Sequence, residues 1–502
     1  MQSQSKKLFS LRKLIFMLVL VLSFGTTKIK AQLQCGMTTA DQLYLQPDDR
    51  PMIGPRSAKT YIPIQFHLFA DDDGTGALDV GTVLNELKAI NEIYDTVGFY
   101  FYLANGGDIP TISNTALTGG PSGYDEIIDA IRNDIALNVF ISKDLFVSSG
   151  RQVAGYYTSA KDFVAMDASY INDGETLAHE LGHFFSLPHT FFGWEDEPYD
   201  LAKHGNPVTI TQAPSYGVPV ELVNKTNCTK AGDKICDTPP DYNFGAARSG
   251  CTYNTVIKDP NGEVIPIMEN NYMSYFANCS DFQFTEGQHN AMRNNFALPS
   301  RNYLRYDYVP LMDTISELVT LLSPTTNQKI ETYNYVTLEW LPVTNATRYY
   351  IEITDGRELT KAIASGTSYT FTTLKANKSY IVKIRPYSEG FTDTKNRITT
   401  FRTGNLMTAT TEITGANRYL KVVPNPVQNG NNIKIEVDAG GNGDHLVEVF
   451  NMMGQLLSSK SVNLDYGKNT ILLNDIKTQA GVHFVRIRGN KHDLTQKFII
   501  AD

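Results

Sequence analysis

The sequence predicts an α/β region reaching to about residue 308, followed by two all-β sandwich domains. Three observations carry this. From residue 61 onward, stretches with strand and helix periodicity alternate: strand, helix, strand, helix, strand. After about residue 308 the helical periodicity fades, and short strands arrive with turn signals between them. The chain has 502 residues, enough for two to four domains at about 100–200 residues each.

In order, Ile62, Ile64, Phe66 and Leu68 fall on one face of the first strand, with Gln65 and His67 on the other. The polar turn at 71–76 lacks the spaced ligands and distal Glu of an EF-hand loop. Val83, Leu84, Leu87, Ile90, Ile93, Tyr94 and Val97 recur at helical spacing. A strand at 99–103, a helix over about 122–133 and a strand at 137–141 follow. Strand-like runs at 152–158 and 162–168 lead to a helix over about 174–186. Asn172 or Asp173 is expected to cap it, with Glu175 in the capping-box position.

Composition narrows the function. Hydrophobic residues at 42% and charged residues at 19% exclude wholesale disorder. A net charge of −9 disfavours a nucleic-acid partner. Five cysteines are too few for a small disulfide scaffold. At the start, Lys6, Lys7, Arg12 and Lys13 precede an apolar run at 14–24, too short to span a bilayer, which takes about 20 residues. With a small-residue cleavage point at Ala31-Gln32, residues 1–31 are expected to be a signal peptide. The mature protein is then exported, without a transmembrane segment, and free to form disulfides.

The block at 318–404 holds Trp340 in VTLEW, and Leu374 six residues before Tyr380. It resembles a fibronectin type III domain. The block at 417–502 carries Pro424-Asn425-Pro426, Gly454-Gln455 and Gly481. It resembles the C-terminal sorting domain of the type IX secretion system of Bacteroidetes, which implies that machinery as a partner.

The chemistry lies at 179–189, His179-Glu180-Leu181-Gly182-His183-Phe184-Phe185-Ser186-Leu187-Pro188-His189. Histidines at i and i+4 share a helix face and can reach one metal. Zinc takes about three protein ligands at a catalytic site and keeps one position for water. Glu180 stands where its carboxylate can act as base on that water. A chance match to this pattern in such a chain is roughly one in a hundred, before the third histidine is counted. His189 comes six residues after His183, so the chain must turn after about Phe185, and Pro188 agrees. This is the metzincin layout HExxHxxGxxH, with Ser186 in place of the usual Gly. If its φ is positive, Ser there costs about 1 kcal/mol or more. Asn270-Asn271-Tyr272-Met273-Ser274-Tyr275 supplies a methionine turn centred on Met273.

Between these two motifs lies the stretch Cys228 to Pro240, with Gly232-Asp233 and Cys236-Asp237-Thr238-Pro239. After the turn come Cys279 and Phe284-Thr285-Glu286-Gly287-Gln288. Over about 60–300 the chain resembles the pappalysin family of metzincins, including ulilysin-like and cytophagalysin-like endopeptidases. The resemblance implies a metzincin fold with a mixed twisted sheet and an active-site helix. It implies zinc on His179, His183 and His189, Glu180 as general base, and Tyr275 assisting the oxyanion. It implies a calcium ion at Asp233 and Asp237, and a Cys251–Cys279 bridge, which leaves Cys228 to pair with Cys236. The acidic residue that gives some members a preference for Arg is absent from 276–279.

The expected function is a secreted zinc endopeptidase (56–308) acting on protein or peptide substrates. The alternative is a surface adhesin with an inactive or incidental protease domain, against which the intact ligand set argues. A third possibility takes the third zinc ligand from Glu195 or Glu197, in a segment without a clear second helix. The fifth cysteine, Cys35, precedes Gly36. A thiolate can fill a zinc's open position. Residues 32–55 are therefore expected to be a propeptide with Cys35 as fourth ligand in a latent form, released by cleavage near Arg50 or Arg56.

Overall fold

The structure is a computed structural model of the chain. It describes residues 35–51, 59–171, 174–246, 250–406, 420–428, 432–439, 443–452, 455–465, 467–474, 480–489 and 492–501. The expected signal peptide, the cleavage candidate Arg56 and the cap candidates Asn172 and Asp173 lie outside the described residues. The chain divides into two compact units. One reaches to Thr314 and takes in Tyr387–Asp393; the other comprises Ile315–Pro386 and Thr394–Asp502.

The first unit begins with a short helix α1 (Thr39–Tyr44), then β1 (Thr60–Ala70), α2 (Val80–Tyr94), β2 (Phe99–Leu103), β3 (Thr111–Ser113), α3 (Asp125–Ile131) and β4 (Leu137–Ser142). β5 (Gly155–Thr158), β6 (Phe163–Asp167), α4 (Glu175–Phe184) and α5 (Glu286–Ala297) complete it. The sheet order is β2-β1-β4-β6-β5, with β3 also on β1. Every pairing is parallel except β5 on β6, which leaves β5 as an antiparallel edge.

β1 departs from the one-sided strand that its alternation predicts. Its neighbours β2 and β4 are parallel, and helices cover both faces, so Gln65 and His67 are buried along with the apolar set. Each must then find partners inside. Gln65 Nε2 donates to the carbonyls of Phe66 and Asp108. His67 Nε2 lies 2.9 Å from Asn138 Oδ1, and its ring stacks on Phe140.

α2 follows its predicted stripe: Val83, Leu84, Leu87, Ile90 and Tyr94 are buried, and Asp79 caps the first turn by accepting from Thr82 N–H. α4 does not start as predicted. Its N-cap is Gly174, at φ +83°, which a residue with a Cβ would occupy at a cost. The Gly174 N–H donates to Glu86 Oε2 on α2, so the helix is anchored there and Glu175 becomes its first residue rather than a capping-box partner.

The second unit holds two β-sandwiches. In the first, the sheets are β12-β9-β7 and β11-β10-β13-β14-β8, drawn from β7 (Leu321–Ser323), β8 (Gln328–Thr332), β9 (Val336–Trp340), β10 (Arg348–Thr354), β11 (Leu359–Ala364), β12 (Ser368–Phe371), β13 (Ser379–Tyr387) and β14 (Arg397–Leu406). Trp340 is buried, and the Tyr380 hydroxyl accepts from Lys375 N–H at 2.7 Å, closing the corner that the Leu374–Tyr380 spacing suggests. In the second sandwich, Ile433, Ile435 and Val437 alternate inward against Val447, Val449, Val485 and Ile487.

Burial of His67 yields a pH prediction. Desolvation, against the bond to Asn138, lowers its pKa to about 4 from 6.5. The unfolded chain therefore binds a proton that the folded chain refuses. The stability this neutral histidine contributes is complete above pH 6.5 and falls as pH drops toward 4, by about 3 kcal/mol across that window. Urea unfolding at pH 7.0 and 4.5 should show a smaller acid loss in His67→Gln than in the parent chain. Equal losses would show that His67 does not titrate this way.

Candidate metal centre

His179 and His183 project from one face of α4, as the i, i+4 spacing dictates. The helix stops at Phe184 because the next residues close a tight turn. Ser186 N–H donates to His183 O, and Leu187 N–H to Gly182 O. Ser186 sits at φ +75°, the left-handed conformation that would favour glycine. This turn brings His189 back, so that His183 Nε2 lies 3.1 Å from His179 Nε2 and 3.2 Å from His189 Nε2.

The tautomers follow from the partners. His179 Nδ1 faces the Tyr272 carbonyl at 2.6 Å, and His183 Nδ1 faces the Leu187 carbonyl at 2.7 Å. A carbonyl only accepts, so each of these Nδ1 atoms carries the proton and each Nε2 presents a lone pair inward. Burial lowers all three imidazoles' pKa values, His179 to about 4, so they are neutral. Lone pairs pointed at one another in a dry site repel unless a cation joins them. The separations suit imidazoles at about 2.0–2.1 Å from one ion, the zinc distance. The donor set therefore fits zinc.

Cys35 is buried, and its Sγ joins the cluster: the four donor atoms of Cys35, His179, His183 and His189 lie within 4.8 Å of one another. Glu180 lies beside it, 1% exposed, with Cys35 Sγ donating to Oε2 at 3.5 Å. Burial pushes the Glu180 carboxyl up to about 8. Its Cγ rests on Gly155 of the edge strand, where an added Cβ would sit 2.8 Å away. Tyr275 packs beside the cluster, its ring 4.9 Å from that of His189, and burial raises its hydroxyl pKa. Glu195 does not enter the cluster. Its Oε1 stands 3.7 Å behind His189 Nδ1, and the acid is pushed up to about 8 by burial. Glu197 instead pairs with Lys203 at the surface.

Met273 is fully buried beneath α4, its Sδ 2.5 Å from where a Cβ on Gly182 would stand. Asp241, which sequence reasoning missed, ties the two ligand-bearing loops together. Its Oδ2 accepts from Thr190 Oγ1 at 2.7 Å and Ser274 Oγ at 2.8 Å, the residues following His189 and Met273. A carboxylate directly after Pro239-Pro240 was the only local signal. Arg301 clasps the far end of α4. It donates to the Phe184 carbonyl, stacks 3.9 Å over the Phe184 ring and pairs with Asp162.

Asp233 and Asp237, the expected calcium residues, interact electrostatically, and each also has its own hydrogen-bond partners. Asp237 caps α5, accepting from Thr285 Oγ1 and Gly287 N–H. Asp233 accepts from Ile235 N–H and Thr238 Oγ1, while its Oδ2 and Glu221 Oε2 are both buried without a donor. The bridges are Cys228–Cys236 and Cys251–Cys279.

Residues 421–501 match the family model of the secretion system C-terminal sorting domain. That domain marks the chain for export by type IX secretion. Among the described residues, no helix is long and apolar enough to cross a membrane. The chain is 26% identical over 253 residues to an extracellular metalloprotease of Sordaria macrospora, covering 47% of this chain and 74% of that one. It is 27% identical over 244 residues to extracellular metalloprotease 1 of Coccidioides posadasii, again covering 47% and 74%. Among solved structures, dimeric latent PorU of Porphyromonas gingivalis matches at 13% identity and a TM-score of 0.17, over 36% of this chain and 20% of that one. The relatives and the buried three-histidine, one-cysteine cluster together support a metalloprotease.

The contact between Gly182 and Met273 is testable. Gly182→Ala should destabilise the protein by about 1–3 kcal/mol in urea unfolding, because the new methyl has no room. Met273→Ala in that background should recover part of the loss. A neutral Gly182→Ala would show that the helix does not rest on the methionine.

Proposed function

We propose that the chain is a zinc endopeptidase of the pappalysin type, held latent by its own N-terminal segment. The observation that carries the proposal is the inward convergence of the Nε2 atoms of three buried, neutral imidazoles beside a buried glutamate. His179, His183 and His189 would hold the ion. When bound, zinc supplies Lewis acidity to a water and to the scissile carbonyl.

The rest belongs to the chain's own groups. Glu180 has the proton affinity of a general base working near neutral pH: it takes a proton from the attacking water and passes it to the leaving amine. The Tyr275 hydroxyl keeps its proton and can donate it toward the carbonyl oxygen as charge develops there. The edge strand β5 can take the substrate backbone. Gly155 O already accepts from Gly36 N–H, which is how an extended peptide adds to a sheet edge.

Latency is supported by how residues 35–51 are held. Asp41, 5% exposed, accepts from Ser159 N–H and Oγ, and Gln46 N–H donates to Ser186 Oγ. Asn294 Nδ2 donates to the carbonyls of Asp48 and Arg50, while the Arg50 side chain is 83% exposed and open to a protease. Within this segment Cys35 takes the fourth ligand position and engages the base at once. A structural calcium is proposed at Asp233 with Glu221 rather than Asp237. Two buried acid oxygens without donors suit a divalent cation.

Two measurements test this reading. Glu180→Ala should keep one zinc per chain yet lose casein cleavage by several orders of magnitude; undiminished cleavage would overturn the mechanism. Full-length Cys35→Ala should digest casein without processing, whereas a variant as silent as the parent would exclude the thiol as the latch.

A further inference from the structure

We infer that Glu195 is a positioning residue for His189 and shares that post with Gln42 of the N-terminal segment. The inference rests on the zinc reading above. A histidine that ligates through Nε2 must carry its proton on Nδ1 and place it on an acceptor. His179 and His183 use backbone carbonyls, which cannot leave. Two side chains face His189 Nδ1 instead: Gln42 Nε2 at 3.1 Å and Glu195 Oε1 at 3.7 Å.

Both side chains have an unfilled acceptor. Gln42 Oε1 and Glu195 Oε1 are buried without a hydrogen-bond partner. With its nitrogen on Nδ1, the Gln42 amide would make Nδ1 an acceptor and move the ring proton to Nε2, among the other lone pairs. Turning the amide over places Oε1 on Nδ1, restores the ligating tautomer and fills the empty acceptor; the two amide orientations have the same shape. Glu195 is held ready by a second bond, Oε2 accepting from Gly193 N–H at 2.8 Å.

The two acceptors differ in where they are attached. Gln42 rides on α1, in the segment that latency holds against the site. Glu195 belongs to the body of the unit, six residues past the ligand. When the segment is in place, Gln42 takes the Nδ1 proton. When it leaves, Glu195 takes over, and the third ligand keeps its tautomer through activation.

The exchange can be tested in the full chain with Gln42→Leu, Glu195→Leu and the double variant. The readouts are zinc affinity by chelator competition and the ¹⁵N-edited imidazole signal of His189. Each single variant should bind zinc within about threefold of the parent, because the other side chain covers Nδ1. The double should bind about 10–100-fold more weakly, with a non-additive loss. The Nδ1–H signal should persist in both singles and exchange away in the double. Glu195→Gln in the Gln42→Leu background keeps a carbonyl acceptor and should restore both readouts. The inference is overturned by a double variant as tight as the parent, by losses that simply add, or by failure of the glutamine rescue. Absence of zinc from the parent chain, or His179→Ala binding zinc undiminished, would instead overturn the zinc reading on which it rests.

Discussion

Three imidazoles aimed at one point in a dry site are the constraint on which the rest of the first unit depends. Each ring must be neutral, must carry its proton on the outward nitrogen, and must be unable to rotate away. Burial makes the rings neutral, and outward acceptors fix the protons. The remaining features hold the backbone that delivers those rings. Ser186 accepts a left-handed φ so that His189 can return to the helix face. Met273 occupies the space that Gly182 leaves open, and Asp241 joins the loop after His189 to the loop after Met273. Arg301 fixes the end of α4 just before the turn begins. These contacts come from segments distant in sequence, so the site exists only in the folded unit and not in the helix alone.

The edge strand β5 is also where the short N-terminal segment meets the cluster. β5 has one face paired with β6 and one free edge beside Glu180. An open edge invites an extended chain. Residue 36 takes that edge, which delivers the neighbouring thiol to the three histidines. In the function proposed above, a substrate would use the same edge and place its scissile carbonyl in the same region. In the latency proposed above, inhibition and substrate binding would draw on one geometry, with the buried Asp41 holding the segment and the exposed Arg50 offered for cleavage.

Much of this was legible in the sequence, for physical reasons that can be named. His179 and His183 were legible because i, i+4 spacing on a helix is a local rule. The turn to His189 was legible because Pro188 and the six-residue gap exclude continued helix. The β-sandwiches were legible because alternation survives where one face meets solvent. Other features were not. Gln65 and His67 read as a polar face, but the central position of β1 buries both faces. Asn172 and Asp173 looked like caps by residue type, yet the helix starts at Gly174 because Glu86 on α2 receives its N–H. The contact of Asp237 with the N-terminus of α5 was not legible either, because Thr285 and Gly287 lie about fifty residues further on. Gly155 and Gln42 carried no signal, and Asp241 only its place after Pro239-Pro240, because each acts through a partner far along the chain.

The acids of the first unit show how one chemical group takes different roles by placement. Glu180, Glu221, Asp233 and Asp241 are buried and Glu195 is largely so, and burial is the main push of each toward its neutral form. What separates them is the supply of donors. Asp241 accepts from two hydroxyls and a backbone N–H, so its charge is stabilised and it serves as a fixed tie. Glu221 and Asp233 each keep a buried oxygen without a donor and raise each other's proton affinity, so a shared proton or a cation relieves them. Glu180 has few donors, a weak thiol contact and the Tyr157 backbone, so burial still leaves its carboxyl raised to about 8. The general-base role proposed for Glu180 draws on that poverty of partners. Each further donor on Glu180, of the kind that Thr190 and Ser274 supply to Asp241, would lower its affinity for the proton.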